Sequence, residues 1–235
     1  MDSWWDAVRD VLDTYRAEPT SWVVLATGVG ALLAVVVDGV WRRARNVVTI
    51  VHEGGHAVAA LLTGRRLTGI RLHSDTSGLT LSVGKPRGPG MVVTAAAGYI
   101  SPSLVGLAGV ALLAIDQVTV MLWAATVVLA GMLVMVRNVY GAFSLVATGA
   151  VIVAVSLLAS PEVQAAFGYA MTWFLLLGAV RPVGELVRER RRHPERRTDA
   201  DQLARITAIP AAGWIALFGL VTVGSLAGGA WLLLA

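Results

Sequence analysis

Val51-His52-Glu53-Gly54-Gly55-His56-Ala57-Val58 sets two imidazoles and a carboxylate inside an apolar run, and the reading of that run decides the fold. On a helix, residues four apart stand one above the other, so His52 and His56 face the same way with Glu53 beside them. Two histidines so placed can hold one metal ion next to a carboxylate. Ionisable groups at bilayer depth are costly unless they are paired, bind a metal or line a wet cavity. A metal site within a membrane helix accounts for both the residues and their place.

Composition supports the membrane reading. The chain has 235 residues, 56% of them hydrophobic and only 14% charged, far from the usage of a soluble domain and typical of a multi-pass membrane protein. There are no cysteines, so thiolate metal sites and disulfides are excluded and any transition metal must use His, Asp or Glu. The net charge is +4, but the basic residues flank apolar runs, so they report topology and exclude a nucleic-acid-binding surface.

Upstream of the quoted stretch, Trp4, Trp5, Val8, Val11 and Leu12 recur at helical spacing. They predict an amphipathic helix over 1–20 lying on the membrane surface, ahead of a single membrane-embedded domain over 21–235. A first span is expected from Ser21 to Trp41, ended by Arg42, Arg43 and Arg45 on the cytoplasmic side. The second, from Val47 to Thr63, carries the two histidines and follows Asn46 as a helix cap. That places the site near the basic face.

Downstream, residues 64–90 lose the apolar pattern and alternate. Ile70 and Leu72 share one strand face and Leu79 and Leu81 another, across a Ser74-Asp75-Thr76-Ser77-Gly78 turn, so a β-hairpin is predicted next to the metal helix. A hairpin edge can pair with an extended peptide, which makes Ile70, Leu72, Leu79 and Leu81 candidate substrate-binding residues. Further apolar runs cover 91–115, 118–136, 139–160 and 161–187, before a basic loop over 188–198 and a last apolar stretch to Ala235. With Arg42–Arg45 and Arg188–Arg197 both cytoplasmic, an even number of crossings must lie between them, yet five apolar runs do. One run must fail to span, with Arg137-Asn138 or the Pro161 region the suspected place, which leaves about six transmembrane helices in an otherwise all-α protein. At the start of the last stretch, Thr198 with Asp201 fits a capping box and Asp199 with Gln202 fits one equally well, so one carboxylate is structural and the other is left free.

His52-Glu53-Gly54-Gly55-His56 on a membrane helix, the strand pair after it, Ala97-Gly98-Tyr99-Ile100-Ser101-Pro102-Ser103 and Thr198-Asp199-Ala200-Asp201 together resemble the site-2 proteases, in the compact branch common in actinobacteria and plants. The Leu-Asp-Gly motif and the small-residue-helix asparagine of better-known members are absent. The resemblance implies an intramembrane metalloendopeptidase in a bacterial cell membrane. Its zinc would be held by His52, His56 and a later aspartate, with Glu53 as general base. For the third ligand it favours Asp199, with Asp201 next and Glu185 after them. It implies a transmembrane protein or peptide as substrate. The competing expectation is a catalytically silent membrane scaffold that keeps a structural metal site.

Overall fold

The computed structural model describes residues 21–192 and 198–235, so the amphipathic helix expected over 1–20 and residues 193–197 of the basic loop, His193 included, lie outside the described residues. Helix α1 (Ser21–Val36) and helix α2 (Asp38–Leu62) meet at Val37 with a bend of 103°. The Arg181 guanidinium sits in this corner. It donates to the carbonyls of Val35 and Val36, which the end of α1 leaves unpaired, and pairs with Asp38 in the first turn of α2.

This corrects the expected boundary between the first two spans. Arg42 to Asn46 are not a loop but part of α2, and Asn46, expected to cap a helix, instead donates from its side chain to Ser144. The reason is pairing that a hydropathy profile cannot see. Glu185 accepts from the Trp41 indole at 2.8 Å and lies 3.3 Å from Arg45, so these polar groups are satisfied within the protein.

The predicted hairpin is present. Strand β1 (Arg66–Leu72) runs antiparallel to β2 (Gly78–Val83), pairing Ile70 with Thr80 and Leu72 with Gly78. Asp75 closes the turn by accepting from the Ser77 amide at 2.9 Å and hydroxyl at 2.6 Å, and these bonds hold its carboxyl below the usual range. Ile70 and Leu72 are fully buried against Ile50, Ala57, Leu122 and Leu145.

Helices α3 (Pro89–Ala114), α4 (Val118–Met135), α5 (Val139–Leu158), α6 (Pro161–Arg192) and α8 (Ala211–Leu234) are each long and apolar enough to cross a bilayer, and α1 with α2 passes the same test only as a pair. The protein is therefore an integral membrane protein with five or six candidate spans among the described residues. Neither suspected region fails: α4 and α5 are full helices although only Val136–Asn138 joins them. That short link is stabilised by β1, because the Arg137 amide donates to Ile70 at 2.8 Å and the Asn138 side chain both donates to and accepts from the Leu72 backbone.

The directions of the helices follow from their contacts. The Trp173 indole donates to Val24 at 3.1 Å and Arg181 reaches Val35, so α1 and α6 run parallel. Going the other way, His52 meets Tyr99 and His56 meets Thr94, so α2 and α3 are antiparallel. Small residues let α3 and α6 close up: a Cβ on Gly106 would stand 2.8 Å from Leu176, and one on Gly109 2.5 Å from Thr172. The short helix α7 (Asp199–Ile206) buries Ala200 and Leu203 completely among residues of α3, α6 and α8.

Candidate metal centre

The i, i+4 spacing brings His52 and His56 to one side of α2, with their Nε2 atoms 3.1 Å apart. Asp199, the first residue of α7, places Oδ2 3.3 Å from each of those nitrogens. Among the described residues, these are the three metal-binding side chains that converge.

The donor set fits zinc. A tetrahedral ion with bonds of about 2.05 Å separates its ligand atoms by about 3.3 Å, and the three edges here measure 3.1, 3.3 and 3.3 Å. The tautomer fits as well. His56 Nδ1 lies 2.7 Å from the Thr94 carbonyl; it donates there, which leaves the Nε2 lone pair for the cluster. Room for an ion is kept by Gly98 on α3, where a Cβ would stand 2.5 Å from His52 Nε2 and closer still to His56.

Glu53 is 4% exposed and turns toward β2. Its Oε2 accepts from the Thr80 hydroxyl at 2.6 Å, and the same hydroxyl lies 3.1 Å from the Glu53 carbonyl. The carboxylate reaches this position because Gly78 offers no side chain: a Cβ there would stand 2.6 Å from Glu53 Cδ.

The model of the Peptidase M50B-like family matches residues 25–229, a range containing every residue of the cluster. The chain belongs to the M50B-like peptidases, a family of site-2 proteases. No curated protein and no solved structure matches it.

In this member of the M50B-like family, the two other carboxylates considered as ligands are engaged elsewhere. Asp201 Oδ2 accepts from the Thr198 amide at 3.1 Å and its hydroxyl at 2.6 Å, while Oδ1 lies 2.9 Å from Arg190. The capping box is thus the one formed by Thr198 and Asp201, which leaves Asp199 free to face the histidines. Glu185 is held by Trp41, Arg45 and Arg181. Of the four hairpin residues singled out, Leu79 and Leu81 are 45% and 42% exposed, whereas Ile70 and Leu72 are core residues at 0%. Sequence reasoning did not find Thr80, Gly78, Thr94 or Gly98. One signal was present: Gly78, Thr80 and Ser82 alternate along β2 as a row of small residues, which lets another backbone approach closely.

Proposed function

We propose that this M50B-like peptidase is an intramembrane zinc endopeptidase that hydrolyses peptide bonds of transmembrane protein substrates. The observation that carries the reading is the tetrahedron-sized triangle of His52, His56 and Asp199, with Glu53 on the same helix as the two histidines. When bound, zinc supplies Lewis acidity, which acidifies water and polarises a peptide carbonyl. Glu53 takes the proton of the attacking water and returns it to the departing amide nitrogen. The Thr80 hydroxyl, donating to Oε2, holds the carboxylate in place for that transfer.

The hairpin supports a way of presenting an extended substrate. In an antiparallel ladder, opposed residues turn their backbone groups inward or outward together. The outward groups of Ile70 and Leu72 are taken by Arg137 and Asn138, so β1 has no free edge there. Their partners Thr80 and Gly78 turn theirs to the open edge of β2, beside Glu53. A substrate strand added at that edge exposes a peptide bond that a helix would shelter.

Charge supports a cytoplasmic site. Every Lys and Arg among the described residues lies on α2, in the hairpin and its flanks, at Arg137, or on the C-terminal half of α6 and α7, and the connections at 115–117 and 159–160 carry none. Positive charge marks the cytoplasmic face, which in a bacterial cell membrane is then the face that bears the metal centre. Purified protein should cleave a model transmembrane peptide, lose that activity on chelation and regain it with zinc. Cleavage that persists after complete removal of metal contradicts the proposal.

A further inference from the structure

Helix α6 contributes no ligand to the cluster, yet it holds both elements that do. Near its end, Glu185 grips the start of α2 through Trp41 and Arg45, and Arg190 grips α7 through Asp201 at 2.9 Å. On the same stretch of α6, Val183 and Leu186 pack against Ala200 and Leu203 of α7. The eight residues of α7 are too few to form a stable helix alone, so the place of Asp199 is inherited from the seat of α7 on its neighbours. Apolar packing is non-directional and leaves the rotation of so short a helix loosely set. An Arg–carboxylate pair is directional, and it acts two residues from Asp199. The same Asp201 also closes the capping box at the N-terminus of α7, so Arg190 holds the turn that carries Asp199.

We propose that Arg190 is a positioning residue for the metal centre: through Asp201 it fixes the rotation of α7, so that the Asp199 carboxylate meets His52 and His56. This rests on the reading of that cluster as a zinc site. The Arg190 and Asp201 side chains are 32% and 25% exposed, so the pair contributes little to global stability; its effect falls on metal affinity.

The test is a zinc titration of the full-length protein in detergent against a competing chromophoric chelator, paired with thermal unfolding of the zinc-free protein. Arg190→Ala should weaken zinc binding about tenfold, the lower end for groups that orient metal ligands, with the melting temperature of the zinc-free protein unchanged. Arg190→Lys, which keeps the charge but not the fixed geometry of the guanidinium, should recover only part of the affinity, and Arg190→Gln serves if the alanine variant does not fold. Wild-type affinity in Arg190→Ala or Arg190→Gln overturns the inference, as does a lower melting temperature without a change in affinity. A wild-type protein that binds zinc no better than His52→Ala overturns the metal reading itself, which separates the two failures.

Discussion

Glu53 and Thr80 come from different elements, and their contact gives the hairpin a part in the proposed chemistry. A hydrogen bond to a charged group contributes about 1.5–3 kcal/mol, equivalent to roughly ten- to a hundredfold in rate if it aligns the base in the transition state. Thr80→Val keeps the β-branched shape without the hydroxyl; kcat should fall by that factor while zinc content stays the same, and Thr80→Ser should retain most of the activity. An unchanged kcat in Thr80→Val would reduce the contact to packing. His52, Glu53 and His56 were legible in the sequence because helical spacing is local. Asp199 was legible only as one of several carboxylates, since the choice depends on where Asp201 places its two oxygens. Thr80, Thr94 and Gly98 were not legible, because each acts on a helix distant in the chain.

Among the elements, α2 departs furthest from its sequence reading. Its apolar second half looked like a separate span, and its arginines looked like a loop before it. In the structure both belong to one helix, turned through 103° from α1 and anchored to α6. Counting α1 and α2 as one crossing removes the parity conflict at this helix instead of at Arg137-Asn138. The chain has no native cysteine, so single-cysteine labelling with an impermeant maleimide can test this. Arg42→Cys and Pro86→Cys, at the two ends of α2 and its hairpin, should label from the same side of the membrane, and Ser160→Cys from the other. Labelling of Arg42→Cys and Pro86→Cys from opposite sides would restore α2 as an independent crossing. The hairpin itself was legible from its alternation. Its docking onto Val136–Asn138 was not, because the outward backbone groups of a strand leave no mark in hydropathy.

Over the whole molecule, three helices that carry no ligand define the site as much as the two that do. Helix α3 supplies the Thr94 carbonyl and the clearance at Gly98, α6 ties α2 to α7, and α8 closes the aromatic stack of Tyr99 on Phe218 behind His52. Among the described residues, the basic ones gather on the side where these parts meet, which supports the orientation proposed above. The central claim is that this frame holds zinc for hydrolysis with Glu53 as the base. It is tested most directly by comparing zinc content and cleavage of a model transmembrane peptide between the wild-type protein and Glu53→Gln. One zinc per chain is expected in both, with cleavage in the wild type alone; zinc retained with cleavage unchanged in Glu53→Gln would contradict the account.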